Sequence, residues 1–265
     1  MHIKNRMLYT FFSEDNYSTA PGRERLLHSL LFRSRVYYIM RFIFVVFRYW
    51  PAARKRSFYF ETWREASFRV FRIMEDCGGC FNIKGLLNIQ RTERPVVFVA
   101  NHMSTMETLV LFCMIFPHKR PVFVVKEQLL SIPFFKAYLK ECIGVTRKSP
   151  SEDFKQVMTR GSELISKGYS IIVFPQARRS MTIDPSRFNT LGIKLARRNN
   201  VPVIPIALKT DFWKDGKILK DFGPLDQNQP IHFEFGAPKR IKGSGKEEHK
   251  QIISFIKSRL DEWGK

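Results

Sequence analysis

The stretch VFVANHMSTMET, from Val97 to Thr108, runs from an apolar segment that only a buried strand would carry into Asn101, His102 and, five residues on, Glu107. A histidine directly after a buried strand occupies a strand-to-helix corner, where its ring can face a cleft. A carboxylate in the first turn of the helix that follows would hold the imidazole in one tautomer and stabilise its protonated form. That base-and-orienter pair activates a hydroxyl for attack. The same residues carry a second account. STME reads as a capping box, with Ser104 at the N-cap and Glu107 reaching back to the backbone, and it leaves the histidine a structural role. Taken alone, the stretch supports both.

Basic residues recur at similar corners. Lys126 closes the apolar run Val122 to Val125, and Arg147 follows the Gly-containing turn in CIGVTRK. YSIIVF ends in PQARRS, which puts Arg178 and Arg179 at a strand's carboxyl edge beside Ser180. Two planar guanidinium groups there would make a phosphate clamp, since each binds phosphate oxygens in bidentate fashion. NNVPVIPIAL reads as a buried strand broken by Pro202 and Pro205.

These corners need elements to position them. After Gly79 the pattern predicts strands at Cys80–Ile83, Pro95–Ala100, Pro121–Val125, Ser170–Phe174, Val201–Leu208 and Ile231–Phe235. Helices are predicted at Thr105–Phe116, Ile132–Cys142, Glu152–Ser166, Pro185–Asn199 and Lys246–Trp263. Strands alternating with helical patterns of this length specify an α/β fold with a mostly parallel sheet flanked by helices. Function in such folds collects outside the carboxyl ends of the strands. Backbone N–H groups at the start of the helix after His102 are then candidates to meet a developing oxyanion.

The first 75 residues differ in texture, so the chain divides into an N-terminal module, 1–75, and an α/β domain, 76–265. Arg33 to Arg56 holds seven basic residues and no acidic one, interleaved with aromatics. On a helix Arg33, Arg41 and Arg48 share an arc of roughly 80°, with apolar side chains over most of the rest. A spanning helix needs about 20 mostly uncharged residues, and Arg41 interrupts the best run. The pattern therefore predicts a helix lying in the membrane interface, its arginines on lipid phosphates and its rings in the acyl boundary. A core helix that leaves its arginines in water is the competing reading. Phe60 to Met74 could return antiparallel to it.

Composition agrees. The 265 residues are 44% hydrophobic and 26% charged, enough for a sizeable core, and 45 basic against 24 acidic side chains give +21. Such a charge points to a polyanionic partner. Nucleic acid is disfavoured, because no helix-turn-helix, RNA-binding or zinc-finger pattern is present. Of the four cysteines, Cys77 and Cys80 have the spacing of half a zinc site with no second half, and Cys113 and Cys142 stand alone. Reduced structural thiols and no metal are expected. No cleavable signal peptide is evident.

In order and spacing, four blocks resemble the glycerolipid acyltransferase family of the PlsC type. They are NHMSTME (Asn101 to Glu107) for an N-H-x4-D box, GVTR (Gly144 to Arg147) for a box ending in a basic residue, FPQARRS (Phe174 to Ser180) for F-P-E-G-T-R-S, and VPVIPI (Val201 to Ile206) for V-P-[IV]-[IV]-P-V. The ordered set, over about residues 80–210, is far more specific than any one block. The family also carries an N-terminal two-helix module that sits on the membrane. Departures are Glu107 for Asp, Gln176 for Glu, Ala177 for Gly and Arg178 for Thr.

The resemblance implies an acyltransferase of phospholipid biosynthesis, associated with the cytoplasmic face of the membrane. His102, held by Glu107, would take the proton from a lysolipid hydroxyl as that oxygen attacks an acyl thioester. Arg147 and Arg179, with Arg178 and Lys126 beside them, would bind the acceptor phosphate, and Gln176 would help set the acceptor range. The expected acceptor is a lysophospholipid, first of all 1-acyl-sn-glycerol-3-phosphate. The donor is acyl-CoA or acyl-carrier protein as co-substrate, and no cofactor is required. Another lysolipid acceptor, or an inactive membrane-surface scaffold of the same fold, would fit the altered third block.

Overall fold

A computed structural model describes residues 11–12, 14–23, 35–55, 59–176, 178–217 and 220–264. Arg33, Arg56 and Ala177, invoked above, lie outside the described residues. Eight strands form one sheet: β1 (Tyr17–Ser18), β2 (Phe81–Lys84), β3 (Val97–Ala100), β4 (Arg120–Lys126), β5 (Ile143–Val145), β6 (Tyr169–Val173), β7 (Val203–Lys209) and β8 (Ile231–Phe235). Their order is β1-β2-β8-β7-β3-β6-β4-β5. The run β7-β3-β6-β4-β5 is parallel throughout; β8 is antiparallel to β7, and β2 is parallel to β8. The sheet is therefore the mostly parallel one that the alternating pattern requires. The central strands β3 and β6 read VFVA and YSIIV, nearly all apolar, as strands covered on both faces do.

The helices are α1 (Arg35–Arg54), α2 (Tyr59–Asp76), α3 (Met106–Ile115), α4 (Glu127–Ser131), α5 (Pro133–Leu139), α6 (Pro150–Ser166), α7 (Leu191–Arg198) and α8 (Lys246–Trp263). α6 starts where its sequence says it should. Ser149 caps it by accepting the Glu152 N–H at 3.4 Å, Pro150 takes the first position, and Glu152 and Asp153 fill the first turn. α3, METLVLFCMI, is apolar nearly all round because it is covered on both sides. Trp63 of α2 stacks on Phe112 at 4.0 Å, and the Ser67 hydroxyl donates to the Leu109 carbonyl at 2.6 Å.

Several expectations are corrected. Pro185–Asn199 is not one helix: a single 3-10 turn, Pro185–Arg187, precedes α7. Asn189 interrupts it, its side-chain amide donating to the Pro175 carbonyl and its oxygen accepting the Leu191 N–H. The Gly-containing turn before Arg147 is in fact the edge strand β5, where a β-carbon on Gly144 would lie 2.8 Å from the end of the Leu130 side chain of α4. Pro205 does not break β7. Its carbonyl accepts Gly236 N–H at 2.8 Å on the β8 side, and β8 pairing begins only at Ile206, so the missing N–H falls where that ladder ends.

The N-terminal helices share the core of the sheet. Tyr38, Phe42, Trp63 and Phe71 belong to the same buried cluster as Phe98 and Phe233. α2 is buried along most of its length. α1 is not: Val36, Met40, Ile43, Phe44 and Phe47 are exposed, within about 100° of helical arc. No described helix is long and apolar enough to cross a membrane.

Candidate active site

Three parallel strands, β7, β3 and β6, deliver the site at their carboxyl ends. As β3 runs out, Asn101 takes over its ladder. The side-chain amide donates to the Leu208 carbonyl at 2.7 Å, and its oxygen accepts the Leu208 N–H at 2.9 Å, as a peptide group would. The corner is thus pinned to β7, and the next residue, His102, leaves the sheet at a fixed point.

His102 and Glu107 meet. Nδ1 of the ring lies 2.8 Å from Glu107 Oε1. Glu107 is wholly buried, and four further donor groups converge on its carboxylate. Oε1 also accepts the N–H groups of Met103 and Ser104, at 2.6 and 2.9 Å. Oε2 faces the Ser104 and Thr210 hydroxyls at 2.8 and 2.7 Å. Burial pushes the carboxyl's pKa up, but the hydrogen bond and charge of His102, with the Thr210 and Ser104 hydroxyls, outweigh it and hold the group below its ordinary value. An ionised carboxylate can only accept, so Nδ1 carries the proton and Nε2 is left with the lone pair of a base. The side chain is 14% exposed, and no hydrogen bond to Nε2 is made among the described residues.

The two accounts of STME are therefore both true. The carboxylate that orients the histidine also ties up the backbone ahead of α3, although the helix begins one residue later than the capping box places it, with Thr105 at the N-cap. One expectation is narrowed as a result. The N–H groups of Met103 and Ser104 turn inward to Glu107, and that of Met106 donates to Ser104 Oγ at 3.2 Å, so these three do not face an oxyanion.

The third block braces the same histidine. Phe174 stacks on its ring, centroids 4.6 Å apart. Gln176 Oε1 accepts the His102 N–H at 2.8 Å, and the Ser180 N–H donates to the His102 carbonyl at 2.9 Å. Gln176 is buried, and its Nε2 donates to the Thr182 carbonyl at 3.4 Å. Its observed partners are thus the backbone of His102 and its own loop.

The cationic residues sit along the same edge of the sheet. Arg179, after β6, is paired with Asp215 and Asp221. Arg178 is exposed, without a partner among the described residues. Lys126 ends β4 half-buried, likewise without one. Arg147 follows β5 in left-handed conformation, φ 60°, its N–H donating to Asp153 at 2.7 Å. No bond joins Lys126 or Arg178 to His102 or Glu107. Sequence reasoning missed Thr210, Asp215 and Asp221. Thr210 had a signal: it follows directly on the β7 strand, at the third corner of the same cleft. Among the described residues no group of three or more His, Cys, Asp or Glu side chains is placed to hold a metal ion, and all four cysteines are free thiols.

A buried carboxylate that orients a histidine at the carboxyl edge of a parallel sheet is chemistry several folds could host. Comparison decides among them. The acyltransferase family model matches residues 80–209, which span all four blocks. A 1-acyl-sn-glycerol-3-phosphate acyltransferase of Pseudomonas aeruginosa is 29% identical over 230 residues, covering 84% of this chain and 86% of that protein. The chain belongs to the acyltransferase family. A probable 1-acyl-sn-glycerol-3-phosphate acyltransferase of Mycoplasma genitalium is 30% identical over 137 residues, 49% of this chain and 51% of that one. The crystal structure of the 1-acyl-sn-glycerophosphate acyltransferase PlsC from Thermotoga maritima matches with a TM-score of 0.61 at 21% identity, over 98% of this chain and 96% of that one. That likeness speaks to the fold, and it extends through α1 and α2. As an acyltransferase, the chain moves an acyl group onto an acceptor.

Proposed function

We propose that this acyltransferase transfers a fatty acyl group from an acyl thioester, acyl-CoA or acyl-carrier protein, to the free hydroxyl of a lysophospholipid, converting 1-acyl-sn-glycerol-3-phosphate to phosphatidate. The observation that carries the reading is the Nδ1-bonded, carboxylate-held imidazole of His102, whose Nε2 is left without a hydrogen-bond partner among the described residues. Nε2 takes the acceptor's hydroxyl proton as the oxygen attacks the thioester carbonyl. Glu107 stabilises the imidazolium that forms. The tetrahedral species collapses with loss of the thiolate, which takes the proton back from Nε2, so the enzyme ends as it began. The acyl chain passes directly from sulfur to oxygen.

Arg179, next to a residue bonded to the His102 carbonyl, is the natural anchor for the acceptor's phosphate, with Arg178, Lys126 and Arg147 further along the edge. The exposed apolar face of α1, with Phe44 67% exposed, would enter the interfacial layer of an anionic membrane, and Arg48 at its flank would meet lipid phosphates. On this reading the enzyme works at the membrane surface facing the cytoplasm, where both soluble donors would reach it.

The test is thiol release and phosphatidate formation by purified protein, with lysophosphatidate offered beside other lysolipids and monoacylglycerol. His102→Ala should lower turnover by about 10²–10⁴-fold while the protein stays folded, the range a general base supplies. Near-wild-type turnover in that variant sinks the mechanism, and no transfer to any acceptor by the wild type favours a scaffold.

A further inference from the structure

Arg179 does not wait unpaired. Its Nη1 lies 2.8 Å from Asp215 Oδ1, and its Nη2 is in short contact with Asp221 Oδ1. The same Asp221 oxygen accepts the Thr105 hydroxyl at 2.8 Å, three residues along from His102. Three donors that converge at the mouth of the site are thus filled by two carboxylates.

These carboxylates are held by a built segment. Trp213 bridges Leu225 in antiparallel fashion, the Lys214 N–H donates to the Pro224 carbonyl at 3.0 Å, and the Gly216 N–H to the Lys220 carbonyl at 3.1 Å. The two arms lie so close that a β-carbon on Gly223 would come within 2.0 Å of the Lys214 carbonyl, which leaves only glycine at that position. The segment is moored to α1, with Trp213 against Tyr38 at 5.0 Å, Phe222 against Phe42 at 5.7 Å, and the Tyr38 hydroxyl donating to the Gly223 carbonyl. Asp215 and Asp221, one on each arm, are thereby aimed at one guanidinium. Their side chains are nevertheless 53% and 54% exposed, so on release they return to water at little loss.

We propose that Asp215 and Asp221 are specificity-determining residues for the acceptor: they stand in for its phosphate and admit a headgroup that can replace them charge for charge and bond for bond. The inference rests on the reading of Arg179 as the phosphate anchor. A phosphomonoester carries about −1.5 to −2 at neutral pH and three terminal oxygens, matching two carboxylates and three donors. A phosphodiester brings one charge and two free oxygens. It would leave one donor without an acceptor and one carboxylate facing it. Two half-exposed ion pairs together set a threshold of about tenfold in affinity.

The experiment uses the full chain, wild type beside Asp215→Asn, Asp221→Asn and the double variant. Rates are measured with lysophosphatidate and with lysophosphatidylglycerol, a phosphodiester, at equal surface concentration. Inhibition by sn-glycerol 3-phosphate, a soluble probe of the same anchor, is measured alongside. In the double variant the preference for lysophosphatidate over the diester should fall about tenfold, read in KM, and glycerol 3-phosphate should inhibit at lower concentration. An unchanged preference and an unchanged inhibition constant, with Arg179→Ala still raising the acceptor's KM, would overturn the inference and leave the acceptor reading standing. Arg179→Ala without effect on acceptor KM would overturn both.

Discussion

Replacing Glu107 by Gln separates the carboxylate's charge from its shape. In the native site Oε1 receives three N–H donors, from His102, Met103 and Ser104, at 2.8, 2.6 and 2.9 Å, whereas Oε2 faces two hydroxyls, of Ser104 and Thr210. The amide oxygen will therefore take the Oε1 position. The amide nitrogen will take the other, where both hydroxyls can rotate to accept. The Ser104 N–H, 3.0 Å from Oε2, keeps its bond to the oxygen on the far side. Geometry survives and the charge is lost. Hydrogen bonds to a charged group contribute about 1.5–3 kcal/mol and neutral ones about 1, so the imidazolium formed in the reaction loses ~1–2 kcal/mol of support. That is roughly a fivefold to thirtyfold drop in kcat. A similar weakening of the backbone bonds should lower the melting temperature by a few degrees. The pH profile supplies a second check. Because Glu107 is held below its ordinary value of 4.5, its ionised form contributes stability that is fully present above that pH and is lost as pH falls through the depressed native value. Thermal melts of the wild type should therefore decline more steeply below pH 4.5 than those of Glu107→Gln. Thiol release near neutral pH measures the first effect. A variant that melts lower and turns over at the wild-type rate would show that Glu107 only braces the helix start, and the orienting role would be refuted.

Thr210→Val removes one of the two hydroxyls from Oε2; it should destabilise by about 1–3 kcal/mol by thermal melt and slow turnover a few-fold through Glu107 rather than through substrate contact. Gln176→Glu keeps an acceptor for the His102 N–H but sets a carboxylate against the Thr182 carbonyl, so turnover should fall alike for every acceptor, with selectivity ratios unchanged in the same assay. Met40→Ser, Phe44→Ser and Phe47→Ser together should cut sedimentation with anionic vesicles by more than about a hundredfold, and binding left intact would take the α1 face out of the interface. Arg48→Glu should weaken the same binding more at low than at high salt; Arg41 is the poorer probe, because it lies 3.6 Å from the buried Asp76 and reversal there would put two carboxylates together.

What could be read in advance was what periodicity and strand ends determine. Alternating runs located six of the eight strands, and the rule that corners at carboxyl ends collect function located His102, Glu107, Arg179 and the block around Gln176. β1 and β5 escaped because two or three residues at a sheet edge carry no periodic signal. Asp215 and Asp221 escaped for a different reason. They lie in a segment with no regular strand or helix, and only its folding back brings them to Arg179, 36 and 42 residues away along the chain. The N-terminal helix pair was legible as amphipathic but not in its division of labour. Both helices are rich in apolar residues and arginine, and it is the position of α3 that buries α2 while leaving one face of α1 outward. Gln176 is the instructive case: read as a lost charge, it suggested the acceptor, yet its side chain is bonded to the backbone of His102. A difference in residue type says nothing about direction until the partner is known.

The two halves of the cleft are built to opposite physical rules, and this follows from what each must do. In the proposed mechanism the base, His102, must keep one tautomer and one orientation through every turnover. Its carboxylate is accordingly wholly buried and five donor groups deep, and its backbone is held at both N–H and carbonyl, so that moving it would strand several polar groups away from water. In the same proposal the headgroup anchor, Arg179, must bind and release a charged group in each cycle. Burial would make an unliganded Arg179 prohibitively unstable, and full exposure would leave it too weak to select. Keeping it a quarter exposed, on carboxylates that are half exposed, holds the cation compensated at all times and lets one anion exchange for another. The short link through the Ser180 N–H to the His102 carbonyl ties the two regimes together. An acceptor bound at the exchangeable end is thereby registered against the fixed one, and that registration is what a direct transfer between two bound substrates requires.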